Sequence, residues 1–266
     1  MIQQSRVVTI PAIMQVRHRA PAAAAAPAGN GLLNALIGYW PLNEAAGANN
    51  ALDLHTNGLT LTQSNSPGAT TGLVYATARL LAAASSQAFT STSATLDLGD
   101  TDWTLAAWVN MTTRPAAAYI IKRGSSSSSP TDQYAMDFEG GSTNLLRVWM
   151  KSGATYYVRT AATHGLPATG AWLLVVGWHD SAANTLSIQI NNGTIDTITT
   201  SGAAPASGAE TFALGRYSTA GGFWNGLIGP AMIWKSAAGG GGVLSAAQRT
   251  ALYNAGAGLA YASFTT

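Results

Sequence analysis

Between residues 185 and 199 the chain alternates apolar and polar side chains. Leu186, Ile188 and Ile190 alternate with Ser187, Gln189 and Asn191, and a period of two places the three aliphatics on one face of a strand. Asn192-Gly193 follows, a pair that tolerates positive φ and predicts a type I′ turn, and Thr194–Thr199 returns as the partner strand. Other segments carry the same signature with less regularity. Ile37–Leu42 and Trp103–Val109 are short apolar runs rich in aromatic residues. Leu145–Met150 and Thr155–Thr160 flank Ser152-Gly153, a second hairpin signal. Trp172–Trp178 is apolar apart from Gly177, as expected of a strand buried on both faces. Many short strands separated by Gly, Ser and Asn turns predict an all-β sandwich.

Helical signals are few. Asn30–Leu36 predicts one helical turn leading into the first strand. Ser245-Ala246-Ala247-Gln248 fits a capping box, in which Ser245 caps the helix and Gln248 reaches back to its amide. The helix is expected to continue over Arg249–Ala255 and to close at Gly256 in the left-handed conformation. Ser125–Ser129 and Gly239–Gly242 are expected to be mobile loops.

Composition sharpens this picture. Of the 266 residues, 47% are hydrophobic, enough for a large core, and only 9% are charged, against about 25% in an ordinary soluble domain. The polar surface must therefore be built from Ser, Thr, Asn, Gln and Gly. There is no cysteine, which excludes disulfides, thiolate metal sites and a thiol nucleophile. No segment reaches the length of a membrane span. Pro11 and Gln15 interrupt the only candidate apolar stretch near the start, so no secretory signal is expected.

The net charge is only +2, yet it is uneven. Residues 1–43 hold Arg6, Arg17 and Arg19 and no acidic residue. Residues 1–36 are thus expected to form an extended arm with a short lead-in, ahead of a domain at 37–266. The arm has no core of its own, and Pro21 to Pro27 enclose an Ala run that favours extended chain. Val7–Ile10 could add a strand to another protein's sheet edge, and the three arginines could donate directional hydrogen bonds to an acidic or carbonyl-rich groove. Arg6, Val7, Ile10, Arg17 and Arg19 are therefore the expected partner-binding residues. Three arginines without interleaved aromatics make a weak nucleic-acid footprint, and no direct nucleic-acid contact is expected.

Taken in order, these segments resemble the laminin-G-like, concanavalin-A-like lectin/glucanase jelly-roll superfamily. Tyr39–Glu44 resembles its opening strand, Trp103–Val109 its aromatic core strand and Gly226–Trp234 its closing strand. Trp172–His179 with Leu186–Gly193 resembles its later strand pair, and Ser245–Gly258 its C-terminal helix. The resemblance covers roughly 37–261. Gly229-Pro230 stands where that family often has an Asp-Glu pair, and Leu80–Phe89 lacks the acids often found there, which argues against transferring a calcium site. The arm and the compact sequence resemble versions in bacteriophage structural proteins.

Candidate chemistry is sparse. Asp137 and Glu139 would share a strand face, but the Glu-x-Asp-x-Glu arrangement of fold-related glucanases is absent, and no catalysis is expected. An exposed acidic edge or loop is the plainer reading of that pair. His18, His55, His164 and His179 are too scattered for a zinc motif. Asp53 with Asn57 is the best calcium candidate, but it supplies few of the roughly 6–8 oxygens calcium needs; an Asx turn before Gly58 is the simpler account, and no cofactor is expected. Trp40, Trp103, Trp108, Trp172 and Trp178 lie in apolar strand patterns and belong to the core. Trp149, Tyr156, Tyr157 and Trp224 are left unassigned between core and surface.

The leading expectation is a non-enzymatic virion protein of a bacteriophage, a capsid decoration or head-associated subunit. Its expected partners are the major capsid protein or other virion proteins, with copies of itself in the assembly. The alternative is a carbohydrate-binding adhesin or tail-fibre module that takes a host glycan. Aromatic exposure discriminates between the two.

Overall fold

In the computed structural model, residues 29–124, 131–141, 143–217 and 221–266 are described. The expected arm residues Arg6, Val7, Ile10, Arg17 and Arg19, and the expected Ser125–Ser129 loop, lie outside them. The strands are β1 (Leu36–Trp40), β2 (Thr62–Ser64), β3 (Gly68–Thr71), β4 (Thr77–Leu81), β5 (Ala88–Ser91), β6 (Asp102–Met111), β7 (Ala117–Arg123), β8 (Tyr134–Glu139), β9 (Leu145–Ser152), β10 (Thr155–Thr160), β11 (Trp172–Asp180), β12 (Thr185–Ile190), β13 (Ile195–Thr199), β14 (Phe212–Leu214) and β15 (Gly226–Ser236). One α-helix, α1 (Ala246–Tyr253), follows them.

Two antiparallel sheets form the expected jelly-roll sandwich. The eight-stranded sheet runs β13-β12-β11-β6-β15-β4-β3, with β1 also paired to β15. The seven-stranded sheet runs β10-β9-β8-β7-β14-β5-β2. Strand β15 is the pivot of the first sheet. It pairs with β6 along one edge, and on its other edge it meets β4 at Gly226–Ile228 and β1 at Ala231–Trp234. The register with β6 shifts between Ile228 and Ala231. Pro230 has no N–H to give a ladder, so a bulge there costs no additional hydrogen bond.

The main core lies between the sheets. Alternate residues point into it, among them Leu105, Val109, Met136, Val148, Val175, Leu186, Ile188 and Ile233. Full burial contributes roughly 1.5–3 kcal/mol per large apolar side chain, so these layers dominate stability. Trp40, Trp103 and Trp224 are fully buried there.

A second core lies on the outer face of the eight-stranded sheet. Tyr39, Trp108, Trp178 and Trp234 point away from the sandwich interior and are covered by Leu32, Leu244, Leu252 and Phe264. Trp108 and Trp178 are thus core residues, as expected, but of this second layer; Trp172 is half-buried at its margin. The covering segments are tied to each other. The Asn30 amide donates to Thr265 Oγ1 (2.6 Å), the Asn30 side chain donates to the Ser263 carbonyl (2.7 Å), and Leu33 N donates to Thr265 O (3.0 Å). Arg249 lies over the Trp178 ring, 4.4 Å from its centroid, and donates to Gln189 (2.7 Å) and to the Leu244 carbonyl.

Local signals hold with one shift and one change. The capping box at Ser245 and Gln248 is formed in both directions. The helix ends at Asn254, which is left-handed at φ 46°, two residues before Gly256, the glycine expected to do this. The 190–193 turn has Asn191 (φ 52°) and Asn192 (φ 57°) as its left-handed pair, closed by Gly193 N to Ile190 O. The expected Asn192-Gly193 turn is therefore displaced by one residue, because asparagine tolerates this conformation and the register set by Gln189 opposite Ile195 requires it. The Gly239–Gly242 loop is pinned rather than free: Gly239 N donates to Asp102 (2.6 Å) and Gly242 N to Ser236 (2.8 Å).

Candidate functional site

Strands β7 to β10 form a continuous antiparallel meander within the seven-stranded sheet. Period-two alternation divides their side chains. Met136, Phe138, Leu146, Val148 and Met150 enter the main core. Tyr119, Ala135 and Trp149 form a small cluster on the opposite, outer face, joined by Val158 and Tyr217. There Tyr119, Arg147, Trp149, Tyr156 and Val158 line a cleft of about 250 Å3.

The rings meet edge on or tilted. Trp149 and Tyr156 are T-shaped at 5.3 Å between centroids, and Tyr119 and Tyr217 are tilted at 5.4 Å. Trp149 is 3% exposed and forms the floor; Tyr156, at 36%, stands at the mouth. The Tyr156 hydroxyl donates to Asp132 (3.0 Å), which also pairs with Lys122 (2.8 Å). Burial, followed by the bond to Asp132, pushes the Tyr156 phenol up to about 12. Lys122 sits within an aromatic surround, 5.2 Å from the Tyr217 centroid and 5.9 Å from those of Tyr119 and Trp149. Burial lowers its pKa, and the Asp132 carboxylate works against that.

Arg147 organises the other side of the cleft. Its Nε and Nη2 donate to the two oxygens of Asp137 (2.6 and 3.2 Å), and Nη1 donates to Glu139 (2.6 Å). Trp149 Nε1 adds a bond to Asp137 (2.9 Å), and the Thr143 hydroxyl donates to Glu139 (2.6 Å). Burial pushes the Asp137 carboxyl upward, opposed by Arg147 and Trp149. Burial also works against the Arg147 charge, but the facing carboxylates more than offset it and hold its pKa above the ordinary value.

Asp137 and Glu139 do share one face of β8, as expected. They are not an exposed acidic edge, however. Strand β8 lies between β7 and β9, and the Asp137 side chain is fully buried. The physical reason is Arg147, directly opposite Asp137 across the ladder, which makes burial of that carboxylate tolerable. Arg147, Tyr119, Lys122 and Asp132 were not singled out from the sequence. The alternation of Arg147, Trp149 and Lys151 against Leu146, Val148 and Met150 was the available signal.

The unassigned aromatics separate cleanly. Trp149 and Tyr156 face the cleft, Tyr157 packs against the main core from the other face of the same strand, and Trp224 is buried in that core. Asp53 is occupied by protein: its Oδ1 accepts from Tyr39 N and His55 N, and its Oδ2 from Leu59 N, each at 2.9 Å. Asn57 donates to the Ile37 carbonyl (2.8 Å). Among the described residues, no three His, Asp or Glu side chains gather as a metal site would require. His55 faces Tyr261, and buried His179 faces the Thr101 carbonyl (3.0 Å). Among the described residues no helix is long and apolar enough to cross a membrane.

Comparisons with known proteins agree with this architecture. Domain 4 of AbnA, a GH43 extracellular arabinanase from Geobacillus stearothermophilus solved with arabinotriose, superposes with a TM-score of 0.58 at 17% identity, covering 80% of this chain and 98% of that one. The binding domain of botulinum neurotoxin DC, solved with SialylT, gives 0.58 at 13% identity over 84% of this chain and 52% of that one. The binding domain of Paraclostridial Mosquitocidal Protein 1 gives 0.57 at 12% identity over 83% and 52%. This chain therefore spans about half the length of those toxin domains, and at such identities the likeness is one of fold. No curated protein sequence matches the chain. Residues 83–240, more than half of the chain, match the Laminin_G_3 family profile, and the chain belongs to the concanavalin A-like lectin/glucanase superfamily.

Proposed function

We propose that this protein is a carbohydrate-binding module whose site is the cleft between Tyr119, Arg147, Trp149, Tyr156 and Val158. The observation that carries this reading is the exposed Tyr156 ring standing over a buried Trp149 beside a fixed guanidinium. A sugar ring presents an apolar face and a rim of hydroxyls. The cleft presents an aromatic wall and pre-oriented hydrogen-bonding groups, which is the usual make-up of a small-ligand site. Solved neighbours of the same fold hold arabinotriose or SialylT, and one is described as depending on two ganglioside molecules for cell entry.

The cleft binds without cleaving. Glycoside hydrolysis needs two carboxyl groups facing the scissile bond. Both Asp137 oxygens are engaged by Arg147 and Trp149, and the side chain has no exposed surface.

The cleft has room for about one sugar ring. A ring of about 12 non-hydrogen atoms at roughly 0.3 kcal/mol each yields about 3–4 kcal/mol, a millimolar affinity. Useful binding then requires several copies acting together. Attachment through the arm, to a virion or another carrier, would supply such copies, and on this reading the protein is a glycan-reading subunit of that assembly.

The test uses the full chain in ligand-observed NMR and on a multivalent glycan array. Saturation transfer to a sugar is expected, and Tyr156→Ala is expected to abolish it while leaving the fold intact. A broad array without any Tyr156-dependent signal would refute the reading.

A further inference from the structure

We infer that the cleft selects uncharged saccharides and disfavours those bearing a carboxylate. This inference rests on the carbohydrate-binding reading and adds the ligand class. It comes from the charge pairing of the site. Recognition of a carboxylated sugar calls for an available cation, most effectively a guanidinium that meets the carboxylate with two parallel hydrogen bonds. Arg147 is the charged residue of the cleft lining, and its fork is already committed. Three of its five N–H donors go to Asp137 and Glu139. Two carboxylates face this one cation, so an anion approaching Arg147 meets two like charges already in place. Glu139, whose side chain is 28% exposed, lies on the accessible side of the group.

The two nearby lysines do not offer a ligand an available cation: Lys151, 4% exposed, lies over the Tyr156 ring at 4.8 Å from its centroid. Lys122 is fully buried and paired with a fully buried Asp132. A neutral sugar faces none of this opposition. Its hydroxyls can accept a remaining Arg147 N–H and donate to Glu139, while its apolar face lies against Tyr156. Binding should accordingly depend little on ionic strength, because no net charge is neutralised.

The experiment compares lactose-terminated and sialyllactose-terminated glycans, which differ by one acidic sugar, on the full chain at low and high salt. The neutral glycan is expected to give the stronger signal and to change by less than about twofold between the two salts. Glu139→Gln, which keeps the shape and removes the charge, is expected to raise the acidic glycan signal by about threefold or more. Two results overturn the inference. Preference for the sialylated glycan, abolished by Tyr156→Ala and by high salt, would leave the cleft a sugar site but make it anion-selective. Tyr156-independent signals, or none with any glycan, would remove the carbohydrate reading itself and this inference with it.

Discussion

The outer faces of the two sheets carry similar aromatic side chains and end in opposite states. On the eight-stranded sheet, Tyr39, Trp108, Trp178 and Trp234 are sealed beneath Leu32, Leu252 and Phe264. On the seven-stranded sheet, Tyr119, Trp149 and Tyr156 line an open cleft. The difference lies in what accompanies the rings. The covered face is served by apolar covering residues from both ends of the described chain. The open face interleaves its rings with charges that are already paired, Lys122 with Asp132 and Arg147 with Asp137 and Glu139. Paired charges let a ring surface stay wet without becoming a general adhesive patch. An aromatic face covered by its own chain contributes stability; one framed by paired charges is available to a ligand.

Substitutions should separate these roles. The largest effect is expected on the covered face. Trp234→Ala removes a fully buried ring and its indole bond to the Leu32 carbonyl (2.8 Å), and should cost about 3–5 kcal/mol in urea unfolding. A cost below 1 kcal/mol would mean that the covering segments are not packed as described.

Next comes the hinge between the roles, Arg147→Ala. It strands the buried Asp137 carboxyl, which should cost about 3 kcal/mol or more and also abolish sugar binding. Arg147→Ala combined with Asp137→Leu should recover much of the stability and none of the binding, because removing both charges relieves the uncompensated burial.

A smaller, pH-dependent effect belongs to the edge where the two sheets meet. Burial alone would raise the Asp196 pKa, but Thr163 and Arg159 outweigh it and hold the carboxyl below its ordinary value of 3.8. A depressed folded pKa contributes stability above the unfolded value, lost as pH falls through the folded one. Asp196→Asn should therefore lower stability at neutral pH and flatten the acid limb below about pH 4. An unchanged acid limb in thermal melts would show that Asp196 is not held in this way.

The smallest stability effect is expected at Tyr156→Ala. This ring is partly exposed, and its removal should shift unfolding by less than about 1 kcal/mol while eliminating the NMR saturation-transfer signal. A large destabilisation would assign Tyr156 to packing and weaken the contrast between the faces.

Parts of this comparison were legible beforehand. The alternation at Leu186–Ile190 and the capping box at Ser245 are local, so period and propensity reveal them. The spacing of Asp137 and Glu139 puts them on one strand face but says nothing of burial, because that depends on Arg147 across the ladder. The turn after Ile190 moved by one residue because strand register, not the Asn-Gly pair alone, selects the left-handed positions. Trp108 and Trp178 were readable as buried, but not as members of a second layer.

The sequence by itself determined an all-β sandwich and the strands with strong local signals, β1, β6 and β9 to β13, since those follow from apolar runs, periods of two and turn chemistry within a few residues. The jelly-roll class came with the resemblance, and β2 to β5, β7 and β14 were not among the strands read. Only the tertiary structure decided which aromatic face is covered and which is open. The cover depends on Asn30 meeting Thr265 across 235 residues of chain, and on Leu32 and Phe264 converging on the same tryptophans. The cleft depends on Tyr119, Arg147 and Tyr156 being set side by side by the β7–β10 meander. Exposure is a property of what lies above a side chain in space, and for these rings the covering residues are too far away in the chain for any local pattern to announce them.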